Sequence, residues 1–433
     1  MHQYDVVGVG IGPFNLSLAA LLTKVPAIKS CFFDRSQQFV WHPGMLLSHA
    51  TIQVSHLYDL VTMVDPTSQY SFLSYLAANN RLYRFANSNF SRVMRKEFSD
   101  YFAWVSRQLP NLVFGEEVTE VDFHQQSFRL KTASHCVQTR NLVLGAGLTP
   151  YVPEFAKKHL SQQVYHCHDF LSHPQDWKNK RVVIVGGGQS GAEIFAKIIE
   201  DDHHLPQEIS WISRRDSFLP MDETPFTNEI YTPAHTESFY HQSPVQKRQL
   251  LLDQTLSSDG ITRELIESIY QRIYVLECLD GLRERINLLP RHTISAMPDS
   301  THLRVQNLHT NRQSLMKADI VIFCTGFRWQ LPGFMSSLKN LINFDDHGRL
   351  LVNQDYSVQW NGSDTNQIYV QNASRHTHGV PDPNLSLAAW RSAKIINSLA
   401  RRSVYQIDHD DSAVNWDVIL NQKNEEMKHA ANC

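Results

Sequence analysis

The sequence predicts an α/β protein built from two Rossmann-like dinucleotide-binding domains, and three observations predict it. A β-prone run at the start of the chain ends in a glycine turn and enters an apolar helical pattern. The same strand–turn–helix order recurs near the middle of the 433 residues. A third strand-like run, also ending in glycine, comes late, where such a fold closes.

The first turn is Tyr4-Asp5-Val6-Val7-Gly8-Val9-Gly10-Ile11-Gly12-Pro13-Phe14-Asn15-Leu16, followed by Leu18, Leu21 and Leu22. Gly8 allows the tight turn, and Gly10 lets the backbone approach a pyrophosphate whose charge sits at the helix N-terminus. Pro13 replaces the third glycine of the usual pattern, which the first helical turn tolerates because that N–H would be unpaired anyway. The next strand-like run, Cys31-Phe32-Phe33, ends in Asp34, 24 residues beyond Gly10, where a ribose-binding carboxylate is expected.

The second turn, Gly186-Gly187-Gly188-Gln189-Ser190-Gly191, follows the run Val182 to Val185 and matches GxGxxG at Gly186, Gly188 and Gly191. Its next strand, Ile209 to Ser213, ends in Arg214-Arg215 rather than an acid. Arginine there suits the 2′-phosphate of NADP and disfavours NAD. One GxGxxG is a weak signal; two, each between strand and helix, imply two nucleotide domains. The first sits where FAD binds in two-nucleotide flavoproteins.

Asn141 to Gly147, followed by Pro150 and Pro153, reads as the crossover between domains. Ala318 to Phe327 reads as the strand returning to the first domain. The expected organisation is a first FAD part over 1–165, an NADPH domain over 166–314, a return over 315–402 with substrate-site elements, and a polar tail over 403–433.

Composition bounds the rest. Hydrophobic residues make up 42% and charged residues 19%, which fits a globular chain with a large core. A net charge of −3 gives no basic balance for nucleic acid. No two of the six cysteines stand within thirty residues of each other, so neither a CxxC redox pair nor a zinc pattern is present in the sequence. Expected are cytoplasmic localisation, no metal and, with neither a signal peptide nor a long apolar run, no membrane span.

These residues resemble the lysine/ornithine N-monooxygenase family, flavoenzymes that make hydroxylamines for hydroxamate siderophores. The resemblance runs from about residue 4 to 400. Gly8 to Leu16 resembles the family's FAD turn, with its characteristic proline. Trp41-His42-Pro43-Gly44-Met45 resembles its flavin-covering loop, and Gly186 to Glu193 its NADPH turn. Asp222 to Glu229 resembles its substrate-side loop. Asp319 to Phe327 followed by Pro332 resembles its D-x3-F-ATGY-x4-P signature, with Cys324 and Phe327 in place of alanine and tyrosine.

The resemblance implies class B flavin monooxygenase architecture, with FAD and NADPH as cofactors and NADP⁺ retained to protect a C4a-hydroperoxyflavin. It implies that Gln53 and Ser386 lie near the flavin and that Asn228 contacts substrate or nicotinamide. Ser258 stands where some relatives carry asparagine. The chemistry is the cofactor's, so no protein nucleophile is expected.

In the family's amino-acid hydroxylases a lysine holds the substrate carboxylate. The matching segment here is Ser55-His56-Leu57-Tyr58-Asp59-Leu60, with Tyr58 at the lysine position and His56 in place of a phenylalanine. Tyrosine is neutral at pH 7, and losing the charged partner of a desolvated carboxylate costs on the order of 2–5 kcal/mol. That points to a substrate without a carboxylate, putrescine or cadaverine. The alternatives are L-lysine or L-ornithine held by another base, or histamine. The far ammonium of a diamine would want an acid: Asp59, Asp222, Glu223 or Glu229.

A Baeyer–Villiger-type enzyme should carry F-x-G-x3-H before the second turn, and Tyr165 to Phe170 lacks the glycine. A disulfide reductase needs a redox cysteine pair. A non-catalytic flavin-binding sensor has no need of the second turn and its arginines. The expected partners are a small amine, O₂ and further copies of the chain, as dimer or tetramer.

Overall fold

The computed structural model describes residues 2–407 and 412–416. The first sheet contains β1 (His2–Val9), β2 (Ser30–Asp34), β3 (Leu112–Phe114), β4 (Glu120–His124), β5 (Ser127–Lys131) and β6 (Cys136–Leu144), in the order β3-β2-β1-β6-β5-β4. Its β3-β2-β1-β6 half is parallel and its β6-β5-β4 half antiparallel. Val6, Val7, Phe32, Phe33, Leu142 and Val143 are buried on both faces, as helix-covered parallel strands require.

Strand β1 feeds the helix Pro13–Leu22, which is buried almost all round. Its leucines contribute about 1.5–3 kcal/mol each by burial. Its one buried hydroxyl, Ser17, donates to the carbonyls of Leu60 and Ala388 and so ties three segments together.

A two-stranded antiparallel ribbon joins the domains: β7 (Thr149–Pro150) pairs with a strand at Phe327–Arg328. The crossover therefore falls where the sequence places it. The second sheet is fully parallel and contains β8 (Val164–His166), β9 (Arg181–Val185), β10 (Glu208–Ile212), β11 (Ile286–Leu289) and, beyond an antiparallel meander β12 (His292–Asp299), β13 (His302–Asn307) and β14 (Gln313–Lys317), the strand β15 (Ile320–Phe323). Its order is β11-β10-β9-β15-β8.

Two expectations need correction here. The run Ala318 to Phe327 does not return to the first domain: β15 lies between β9 and β8 in the second sheet. The return comes after β16 (Phe327–Arg328), with β17 (Ile368–Val370) pairing in parallel with β6. The first boundary also moves forward, because β8 already belongs to the second sheet. Buried parallel strands read alike whichever sheet they join, so the sequence pattern cannot separate the two outcomes.

The polar tail expected from 403 onward is not free over its described part. Val404, Tyr405 and Ile407 pack on the first core, and the Tyr405 hydroxyl donates to the Leu21 carbonyl at 2.7 Å. Residues 408–411 and 417–433 lie outside the described residues. No helix among those described is long and apolar enough to cross a membrane.

Candidate functional site

Both glycine turns leave the carboxyl ends of central parallel strands, where doubly wound sheets bind ligands. A cleft of 1440 Å³ lined by Asp5, Arg140, Asp355 and Arg401 among others lies elsewhere; Asp5 stands in the amino-terminal half of β1.

In the first turn each glycine has its own reason. A Cβ on Gly8 would strike the Phe32 ring at 2.1 Å. Gly10 has φ +88°, and its Cβ would stand 2.4 Å from the Gly145 carbonyl oxygen. So the turn after β6 by itself demands glycine at 10. Gly12 precedes the Pro13 helix in extended backbone and has nothing within 4 Å of its Cβ position. This is the glycine that faces open space at the helix N-terminus, where an anionic group is favoured.

Asp34, at the end of β2, accepts the Ile11 N–H at 2.7 Å and the Ser36 N–H at 2.8 Å. It braces the turn and keeps lone pairs for a further donor.

In the first domain and its return segment, several buried polar atoms lack partners. The Gln53 Nε2, Ser386 Oγ, Gln371 Oε1 and Asn15 Oδ1 atoms make no hydrogen bond. Asn15 donates to the Gly10 carbonyl at 2.7 Å, and Gln371 to that of Phe14 at 3.2 Å. Buried polar groups are almost always paired, so the unpaired atoms of Asn15 and Gln371 beside the glycine turn fit a polar ligand lying against it. Gln53 and Ser386 were expected beside a flavin. Gln371 and Asn15 were not singled out, and their signal is their unpaired state in the fold.

The second turn repeats the geometry. Gly186 has φ +137°, with its Cβ position 2.1 Å from the Cys324 carbonyl oxygen. The Cβ position of Gly191 is 2.1 Å from the Gly186 carbonyl oxygen. Gly188 caps the helix Gln189–Ile199 and meets only the Asp259 carbonyl, at 3.5 Å. Ser190 lies in the first turn of that helix, and the Gln189 side chain spans Thr262 N–H and Glu193.

The paired arginines separate. Arg215 donates to the carbonyls of Asp259 at 2.8 Å and Gly187 at 3.4 Å, so it organises the turn. Arg214 is exposed and makes no hydrogen bond or ion pair among the described residues. Arg214→Ala should therefore raise KM for NADPH far more than for NADH, while Arg215→Ala should weaken both together. Equal effects of Arg214→Ala on the two would remove its 2′-phosphate role.

Two cysteines far apart in sequence meet behind this turn. Cys167 follows β8 and Cys324 follows β15, whose ends are in register. The Cys324 hydrogen bond first, and then His166, favour thiolate on Cys167 against the opposing effect of burial, while burial favours thiol on Cys324. Both are free cysteines.

The domains are clamped by a buried pair. Arg95, on the helix Arg95–Ser106, holds Glu193 through two bonds of 2.9 and 2.7 Å and also donates to the Met45 carbonyl at 2.8 Å. The loop Trp41 to Met45 is pressed against the second domain: a Cβ on Gly44 would stand 1.9 Å from the His168 carbonyl oxygen. Trp41 packs edge-on against Phe102 at 5.1 Å.

His42 is exposed to solvent, and the protein atoms packed around its ring first, then the charges of Arg95 and His168, lower its pKa, so it is neutral at pH 7. Phe327 stands 6.4 Å from His42 and 5.1 Å from His166, ring centre to ring centre. Residues of the first-domain loop, the second sheet and the return ribbon thus face one another.

In the loop expected on the substrate side, Asp222 folds its own segment by accepting from Thr224 N–H and Thr227 Oγ1, and Glu223 pairs with Arg92. Asn228 is exposed and donates to the Glu223 carbonyl at 3.2 Å. The loop is zipped to the segment carrying Ser258 through Met221 N–H to the Ile261 carbonyl and Asp222 N–H to that of Leu256. Ser258 donates to Asp259 at 2.9 Å and accepts from Arg375 at 3.4 Å.

Tyr58 is half-buried; desolvation first, and then the Glu229 charge, raise its pKa, so it stays a neutral phenol. His56 sits among aromatics, 6.0 Å from Phe72 and 5.4 Å from Phe85. Asp59 is buried and accepts from Val61, Thr62 and Phe72 N–H and from the Thr62 hydroxyl, so it is a structural staple.

Comparison with known proteins gives concordant matches. The family model described as L-lysine 6-monooxygenase/L-ornithine 5-monooxygenase matches residues 2–329. The chain is 38% identical over 420 residues to the L-lysine N6-monooxygenase of Escherichia coli, covering 95% of this chain and 98% of that one. It resembles the FAD-bound crystal structure of the desferrioxamine-pathway cadaverine monooxygenase from Erwinia amylovora, with TM-score 0.90, 29% identity and coverage of 96% and 99%. It also resembles the Kutzneria ornithine N-hydroxylase with reduced FAD, NADP⁺ and L-ornithine, with TM-score 0.85, 31% identity and coverage of 92% and 99%.

Proposed function

The chain belongs to the L-lysine 6-monooxygenase/L-ornithine 5-monooxygenase family, and from that premise we propose that it N-hydroxylates one primary amine of a small diamine, putrescine or cadaverine, using FAD, NADPH and O₂, for hydroxamate siderophore biosynthesis. The cofactors suit the site. Gly12 and the Pro13 helix N-terminus would take the FAD pyrophosphate and Asp34 its ribose, with Gln53, Ser386 and Gln371 supplying polar contacts to the ring. Gly188, Ser190 and Arg214 would take NADPH.

Bound FAD, reduced by NADPH, supplies O₂ chemistry that delivers one oxygen atom to the amine nitrogen. The chain's work is position and dryness. The amine must reach that oxygen neutral, and a free alkylammonium titrates near about 10.4, so the walls must disfavour its charge by desolvation. Trp41, neutral His42 and Phe327 suit that task, since none brings a charge to the gap.

One observation carries the diamine reading: the position expected to hold a carboxylate-binding lysine is a neutral, half-buried tyrosine within the field of an acid, Glu229. That wall suits a cation and repels a carboxylate. L-Lysine is the second reading. It is favoured by the 38% identity to the Escherichia coli enzyme and by Arg375, a cation beside Ser258 that could hold a carboxylate.

Tyr58→Lys separates the two. On the diamine reading it lowers kcat/KM for cadaverine at least about tenfold, by placing like charge near the substrate cation. An unchanged amine profile removes Tyr58 from the pocket and the reading with it.

A further inference from the structure

The diamine reading leaves open what receives the ammonium that does not react. Four acids are available by sequence, and the structure commits three of them. Asp59 is a buried staple, Asp222 folds its own loop, and Glu223, whose buried Oε1 accepts no hydrogen bond, has its charge offset by Arg92 on Oε2.

Glu229 differs. It opens the short helical turn Glu229–Tyr231, whose far end is fixed by the Tyr231 hydroxyl donating to the Ser257 carbonyl at 2.6 Å. Its Oε2 accepts from the Ser412 hydroxyl at 2.7 Å and from the Ala413 N–H at 3.2 Å. Its Oε1 accepts no hydrogen bond among the described residues. The field of this carboxylate reaches Tyr58 on the other domain.

The two donors come from the C-terminal segment 412–416, part of what the sequence reads as a polar tail. The segment is anchored. The Trp416 indole N–H donates to Ser412 Oγ at 3.2 Å, and its ring packs edge-on against His235 at 4.6 Å. His235 is buried in the helix Pro233–His241, immediately after the Glu229 turn.

We propose that Glu229 receives the second ammonium of the diamine and that residues 412–416 hold this carboxylate in place, so that the C-terminal segment forms part of the specificity pocket. The proposal rests on the diamine reading. A carboxylate with one oxygen fixed by two donors presents the other in a set direction, and an ammonium there makes a charge-assisted hydrogen bond. A monoamine of equal length gains nothing from it, and the carboxylate of an amino acid is repelled.

The test is the ratio of kcat/KM for cadaverine to that for n-pentylamine, read as hydroxylamine formed, in the FAD-loaded full chain. A parallel reading is the rise in Tm that each amine gives. The wild type should favour the diamine in both. Glu229→Gln should lower the kinetic ratio roughly tenfold or more and abolish the difference in Tm shift. Glu229→Asp should retain part of both. Ser412→Ala should lower the ratio less, through KM rather than kcat.

A high wild-type ratio that survives Glu229→Gln and Ser412→Ala overturns this assignment alone. A wild-type ratio at or below one overturns the diamine reading and the assignment with it. Should Glu229→Gln fail to fold, Glu229→Asp and Ser412→Ala decide the matter by the same two readings.

Discussion

Replacing Gly12 by alanine should leave the fold intact and weaken FAD binding roughly 5- to 150-fold. The position adopts φ −83° and ψ 178°, which alanine takes without strain, and no protein atom lies within 4 Å of the added methyl. The methyl instead enters the space at the helix N-terminus that a pyrophosphate would fill. Overpacking of that kind costs about 1–3 kcal/mol, which converts to the stated range. Flavin titration of the apoprotein reads the affinity, and thermal unfolding of the apoprotein should be unchanged. Gly10→Ala is the instructive contrast. Its methyl meets the Gly145 carbonyl and its φ is +88°, so it should destabilise the apoprotein itself. Full FAD affinity in Gly12→Ala would remove the first turn as the flavin site.

Arg95→Ala should cost about 3–5 kcal/mol of stability. It leaves the Glu193 carboxylate, whose side chain is 2% exposed, without its bidentate partner, and removes a donor from the Met45 carbonyl. The loss falls at the contact between the domains, so denaturant unfolding should also become less cooperative. Arg263→Ala breaks an exposed pair with Glu267 one helical turn away and should scarcely move the midpoint. Equal midpoints for the two variants would show that the clamp contributes little.

The two glycine turns were legible in the sequence because each is local. A β-branched run, a glycine at a fixed offset and a helical apolar pattern lie within about fifteen residues. What was not legible depends on who the neighbours are. Which glycine of the first turn faces open space is decided by Phe32 and Gly145, both remote in sequence. Ile320–Phe323 reads as a buried parallel strand in either sheet, so its place beside β9 had to come from the fold.

Arg214 and Arg215 are indistinguishable as a dipeptide. They separate only because the Asp259 carbonyl lies within reach of one of them. The Arg95–Glu193 clamp joins positions 98 residues apart, which no periodicity announces. In the segment 412–416 Ser412 donates to Glu229 and the Trp416 ring packs edge-on against His235, partners that composition alone does not reveal in what reads as a polar tail.

The central claim is that two nucleotide cofactors meet across a dry gap that admits a carboxylate-free amine. Hydroxylamine formed per NADPH oxidised by the FAD-loaded wild type, over putrescine, cadaverine, histamine, L-lysine and L-ornithine, tests it most directly. Tight coupling with a diamine and weak or uncoupled turnover with both amino acids are expected. Tight coupling with L-lysine and none with either diamine, or no hydroxylamine from any of the five, would contradict it.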